Sequence, residues 1–183
     1  MFIQTEETPN PQTLKVIPGV PVLAEGTAEF LSAGDVAGQS PLADRLFHIN
    51  GVQSVFFGYD FVAVTKQDNV QWADIRTYIL GILFELFSLG QPVMAQNSAA
   101  VDTANLSDTE RQIIELIDTR VRPAVARDGG DIVFQRFDKG VVWLKMQGAC
   151  AGCPSSTMTL KMGIENMLRN YIPEVLEVRA VND

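Results

Sequence analysis

The chain has 183 residues, 46% hydrophobic and 20% charged; at roughly 100–150 residues per domain, that closes one large core or two small ones. Lys and Arg number 14 against 22 Asp and Glu, a formal charge of −8, and with no basic cluster a phosphate backbone is a poor partner. Two cysteines, Cys150 and Cys153, and one histidine, His48, exclude a multi-disulfide scaffold and a closely spaced four-ligand Cys/His metal site built by one chain.

The start, Met1 to Glu7, lacks a basic segment and an apolar run and is acidic, so no targeting leader is read there. The most apolar stretch, Ile79 to Leu89, is broken by Glu85 and is far short of the ~18 residues of a bilayer span. The expectation is a soluble protein of a bacterial cytoplasm, or of the mitochondrial matrix if a presequence has been removed, with no membrane partner. Thr13 to Ile17 reads as a strand ended by Pro18-Gly19. Ser40-Pro41 starts a short helix, since serine caps and proline is tolerated at the first helical position. Leu42, Leu46 and Phe47 are its inward residues. Val52–Phe57 and Phe61–Thr65 flank Gly58-Tyr59-Asp60 as a hairpin. Asp68 is then placed as cap of a longer helix with Trp72, Ile75, Ile79, Ile82, Leu83 and Leu86 at three- and four-residue steps.

Between Ser88 and Leu106 the pattern dissolves into small polar residues, which predicts a flexible linker at 91–106 joining domains 1–90 and 107–183. Residues 1–90 hold 4 basic and 10 acidic side chains, against 10 and 11 in 107–183; the acidic half is therefore assigned to contacts with other proteins. Ser107-Asp108-Thr109-Glu110 fits a capping box. Ile113, Ile114, Ile117, Val121 and Val125 follow as a helical stripe, with a kink expected at Pro123. Asp128-Gly129-Gly130-Asp131 reads as a turn, and Ile132–Phe137 and Val141–Met146 as a hairpin around Asp138-Lys139-Gly140. After Cys150-Ala151-Gly152-Cys153-Pro154 comes a helix, capped by Ser155 or Ser156, with Leu160, Ile164, Met167, Leu168 and Tyr171 on one face. Pro173 stops it and Leu176–Val181 closes the chain as a strand. The fold class is α+β: two small layered domains, the second ordered α-β-β-α-β.

Chemistry concentrates on the cysteine pair. Two intervening residues let both sulfurs reach one metal or cluster, or each other, and the flanking Gly148 and Gly152 let the backbone approach a ligand. A helix N-terminus nearby favours thiolates. Four readings stay open: ordinary thiols, a dithiol/disulfide redox site, zinc, and an iron–sulfur cluster. Zinc and clusters both take four protein ligands as a rule, so a chain with two supplies half a site, completed by a second copy in a two-fold dimer. His48, Trp72, Trp143 and Lys161 read as surface or packing residues. With one remote histidine, no nucleophile–base–orienter set is apparent, and the chain is read as not an enzyme.

The run Gly148 to Ser156, with Thr159-Leu160-Lys161, Gly163-Ile164-Glu165, Pro173-Glu174-Val175 and the earlier Asp128-Gly129-Gly130-Asp131, closely resembles the NifU C-terminal-like domain of the Nfu iron–sulfur proteins. Phe2 to Pro11, then Leu14-Lys15, resembles the companion Nfu N-terminal domain. The resemblance implies a scaffold or carrier. It implies that Cys150 and Cys153 ligate a [4Fe–4S] cluster shared between two subunits, and that the cluster comes from upstream assembly proteins and passes to apo-proteins. The rival functions are a thiol–disulfide oxidoreductase and a zinc-bridged structural dimer.

Overall fold

The computed structural model describes residues 2–95, 106–151 and 154–181, the side chains of 154–156 excepted. Two compact units result, 1–99 and 100–183. No helix among the described residues is long and apolar enough to cross a membrane.

In the first unit, β1 (Gln4–Glu7), β2 (Thr13–Ile17), β3 (Ala28–Phe30), β4 (Val52–Phe57) and β5 (Val62–Lys66) form one sheet in the order β1-β2-β5-β4-β3. All its pairings are antiparallel. The helices α1 (Pro41–Phe47) and α2 (Trp72–Ser88) supply Leu42, Leu46, Ile75, Ile79, Leu83 and Leu86 to a core shared with Leu14, Val16, Val55, Phe57, Val62 and Val64. Strand alternation sends those residues to the helical side, one layer against the other. Ser40 caps α1 as its sequence predicts, its Oγ accepting from the Ala43 amide at 3.0 Å.

Two boundaries differ from expectation. Asp68 does not cap α2, which begins at Trp72 after a turn closed by the Val70 amide on the Gln67 carbonyl. The Trp72 indole N–H donates to the Pro11 carbonyl at 3.1 Å, so a tertiary contact marks that start. Residues 91–95, read as linker, pack on the first unit: Val93 is buried, its carbonyl accepts from Ser40 Oγ at 2.5 Å, and the Ala95 amide donates to Gln39. Residues 96–105 of the expected linker lie outside the described residues.

The second unit opens with α3 (Asp108–Leu116), a π-helical stretch Ile117–Val121 and α4 (Arg122–Arg127). The capping box forms as expected: Ser107 Oγ accepts from the Glu110 amide, and the Glu110 carboxylate accepts from the Ser107 amide. Pro123 acts one turn earlier than a simple kink would. Its ring would strike the Thr119 carbonyl and it donates nothing; the preceding turn widens, and the Arg122 amide donates to Ile117 five residues back.

The strands β6 (Gly130–Asp138), β7 (Val141–Gly148) and β8 (Glu177–Val181) complete it, ordered β6-β7-β8. The β6–β7 hairpin is antiparallel and turns on Lys139 (φ 48°) and Gly140 (φ 82°), the left-handed pair of a two-residue hairpin loop. The helix α5 (Pro154–Tyr171) carries the chain over to β8, which lies parallel to β7. Ile113, Ile117, Val121, Val125, Ile164 and Leu168 cover Ile132, Val142, Leu144 and Val178 on one face of the sheet. Tyr171 departs from the expected inward stripe of α5. It is exposed, and Ile172 is buried in its place.

Candidate cluster site

The hairpin extends further than its apolar runs predict, pairing Gly130 with Gly148. That last rung puts the Asp128–Asp131 turn beside the cysteine loop. Gly148, at φ 62°, turns the chain out of β7. The Ala149 amide then donates to the Gly129 carbonyl at 3.1 Å, and the Ala151 amide to the Gly148 carbonyl at 3.0 Å. Cys150 is thus fixed by backbone bonds on the near side and by α5 on the far side, where the Thr157 hydroxyl donates to its carbonyl at 3.0 Å.

The sulfur does not sit as its sequence position implies. Cys150 is a free thiol, 7% exposed, and belongs to the core of the second unit. Its Sγ occupies the space left by the side chain Gly130 lacks: a Cβ there would stand 2.5 Å from it. Burial pushes the thiol up to about 12, with the negative charges of Asp128 and Asp131 adding to the effect. At Cys150 the shift runs opposite to the thiolate expected from the helix N-terminus, because desolvation outweighs the helix dipole when sulfur faces the core. Cys153 lies outside the described residues. Neither Ser155 nor Ser156 is the cap, since α5 begins ahead of both, at Pro154.

Behind the loop stands an ion pair that the glycine-turn reading misses. Asp131 is 4% exposed, and Arg122 clamps it from two nitrogens, Nε to Oδ1 and Nη2 to Oδ2, each at 2.9 Å. Arg122 Nη1 also donates to Asp118 at 3.1 Å. The two carboxylates together raise the guanidinium pKa despite its partial burial. The clamp ties the π-helical stretch to the first residues of β6 and hence to the turn beneath Cys150. A signal existed in the sequence: an acidic residue leading an apolar strand needs a partner, and an arginine lies nine positions earlier.

The remaining residues take structural places. His48 is exposed at the end of α1, its Nδ1 2.7 Å from the Asp44 carbonyl, in the other unit. Trp143 lies outside the buried core, half-buried on the outer sheet face, with the Arg136 and Arg179 guanidinium groups 4.7 and 5.4 Å from its ring. Lys161 is half-buried on α5. Among the described residues no group of three or more His, Cys, Asp or Glu side chains converges on one point. The donor set nonetheless suits a soft, thiolate-binding cluster: a sulfur beside glycines, where backbone can close on a bulky group, directly ahead of a helix.

An α+β pair of units, the second carrying a glycine-flanked cysteine between strand and helix, describes a two-domain protein whose described thiol lies in the second unit. Residues 3–90 match the family described as scaffold protein Nfu/NifU N terminal, and residues 113–179 match the NifU-like domain. The chain belongs to the Nfu family, matched in both of its units. It is 46% identical over 186 aligned residues to the NFU1 iron-sulfur cluster scaffold homolog, mitochondrial, of Drosophila ananassae, covering all of this chain and 65% of that protein. The Drosophila erecta protein of the same name is 48% identical, with 66% of it covered. The chain therefore spans about two thirds of the length of these relatives. A solution NMR structure of a NifU-like protein from Saccharomyces cerevisiae aligns at 25% identity and a TM-score of 0.47, over 53% of this chain and 87% of that one.

Proposed function

We propose that the protein is an iron–sulfur carrier: two copies hold one [4Fe–4S] cluster through Cys150 and Cys153 of each and hand it to apo-proteins. The carrying observation is the half-complete ligand set, two cysteines per chain, of which Cys150 lies between β7 and α5 beside Gly130. The cluster is cargo, loaded by upstream assembly proteins. Handover is ligand exchange without net redox change. A client thiol gives up its proton, its sulfur bonds iron as the Cys150 sulfur–iron bond breaks, and Cys150 takes up a proton. The raised pKa of Cys150 favours that last step once the sulfur returns to its buried seat. Nothing turns over catalytically, and of the two compartments expected from the sequence, the relatives' names favour the mitochondrial matrix.

A thiol–disulfide oxidoreductase and a zinc-bridged dimer would use the same cysteine pair, and each, like the carrier, needs the Cys150 sulfur turned out of its buried seat. Anaerobic reconstitution with iron and sulfide separates the readings. The expected product is a brown dimer with about four irons per two chains, lost in Cys150→Ala. A colourless monomer that reduces a disulfide substrate, or a dimer that takes only zinc, overturns the carrier.

A further inference from the structure

We propose that the outer sheet face of the second unit binds an acidic segment of a partner protein, with Arg136 as the residue that takes its carboxylate. A shift of register puts that arginine in place. Ile132 and Phe134 pair with Met146 and Leu144, which belong to the core, and strict alternation would send Arg136 inward with them. The β-bulge between Phe134 and Arg136 adds one residue to β6. Phe137 therefore turns to the core side, and Arg136 pairs with Trp143. On its other flank Trp143 pairs with Arg179 of β8. Arg136, Trp143 and Arg179 thus form one row across the three strands, on the face opposite the helices.

In that row the indole lies between two guanidinium groups, 4.7 and 5.4 Å from its ring. Attraction to a ring does not use up the N–H donors of a guanidinium, which still take acceptors in the fork geometry that suits a carboxylate. Arg179 shows the result: its Nε and Nη2 donate to the two carboxylate oxygens of Glu177 at 3.0 and 3.1 Å. Arg136 sits against the same ring, exposed, without that acid. Asp138, placed two positions on, is one carbon shorter than a glutamate, and among the described residues no carboxylate accepts from Arg136. An incoming carboxylate completes on Arg136 what Glu177 completes on Arg179.

The surroundings favour a protein acid over a phosphate chain. A polyphosphate backbone takes several cations in series, whereas here the acids Asp138 and Glu177 stand in the next row, either side of Val141. A single carboxylate on Arg136 avoids them. In the row beyond, Val133 and Val181 flank Lys145; with Trp143 they give half-buried apolar surface on which the neighbours of that acid can lie. Tryptophan and arginine are also the residues on which the energy of protein interfaces concentrates.

The test uses the full chain and the peptide acetyl-(Glu-Val)4-amide. Binding is read by calorimetry and by the indole N–H resonance of Trp143, which is identified by its loss in Trp143→Phe. The peptide should shift that resonance. R136Q, at an exposed site, should melt like the unsubstituted protein and bind about tenfold more weakly; R136K, which keeps the charge without the paired donors, should fall between. Unchanged affinity in R136Q overturns the proposal, and so does a Trp143 resonance that the peptide leaves unmoved. Equal binding of acetyl-(Gln-Val)4-amide overturns it by removing the carboxylate from the contact. Tighter binding of a twelve-nucleotide oligothymidylate overturns it by assigning the face to nucleic acid.

Discussion

Cys150 fills the side-chain space that Gly130 leaves empty: a Cβ on Gly130 would stand 2.5 Å from its Sγ, 2.8 Å from the Gln147 carbonyl oxygen and 2.9 Å from the Cys150 amide nitrogen. The sulfur could rotate away, but the two backbone atoms cannot without breaking the last rung of the hairpin. Gly130→Ala should therefore destabilise the second unit by about 1–3 kcal/mol, the usual cost of overpacking a closed core. A thermal melt checks it. The same substitution should expel the thiol, so Cys150 in a Cys153→Ser background should react faster with iodoacetamide. An unchanged melt and an unchanged alkylation rate would together show that the gap is spare room.

The Thr157 hydroxyl is the other restraint on that thiol, through its 3.0 Å bond to the Cys150 carbonyl. Thr157→Val keeps the shape and removes the donor. The expected cost is about 0.5–1.5 kcal/mol, with faster alkylation of Cys150 in the Cys153→Ser background, whereas Thr157→Ser should behave like the unsubstituted protein. Equal rates in all three would mean that the loop is held by its backbone bonds alone.

Much of this was legible from residues. Ser40-Pro41 and the Ser107/Glu110 box start their helices because local capping chemistry decides a helix start when nothing distant competes. Asp68 fails the same test because Trp72 is anchored on Pro11, 61 positions away, a contact invisible to a local pattern. The short edge strands β1 and β3 carry no alternating signature, and they form by pairing with β2 and β4. At the site, spacing and the flanking glycines put the cysteine pair between a strand and a helix, where Cys150 lies. The direction of the Cys150 sulfur was not legible, because it depends on the absent side chain of Gly130, across the hairpin.

Arg122 should matter more than its half-exposed position implies. Its guanidinium is the double donor to the nearly buried Asp131 carboxylate. Arg122→Met removes that donor and leaves the charge in place, which should cost about 2–3 kcal/mol, somewhat below the figure for a fully buried pair. Asp118→Asn touches only the exposed side of the same guanidinium and should cost about 0.5 kcal/mol or less. Urea unfolding of both variants checks the ranking, and equal losses would show that the clamp on β6 contributes nothing beyond a surface ion pair.

The Ser107 amide and hydroxyl hold the Glu110 carboxyl below its ordinary value, donating to Oε2 at 2.8 and 2.7 Å. A folded-state pKa below the unfolded one, about 4.3, stabilises the fold above that pH; the contribution is lost as pH falls through the folded value. Ser107→Ala removes the hydroxyl, and with it one donor to the carboxylate and the cap on the Glu110 amide. The loss should be about 1 kcal/mol at pH 7. In acid the carboxylate protonates and its bond to the hydroxyl weakens, while the cap on the amide persists. The difference between Ser107→Ala and the unsubstituted chain should therefore narrow between pH 7 and pH 3 without vanishing. Urea unfolding at the two pH values measures it. An equal difference at both would mean that Ser107 stabilises α3 through the amide cap alone.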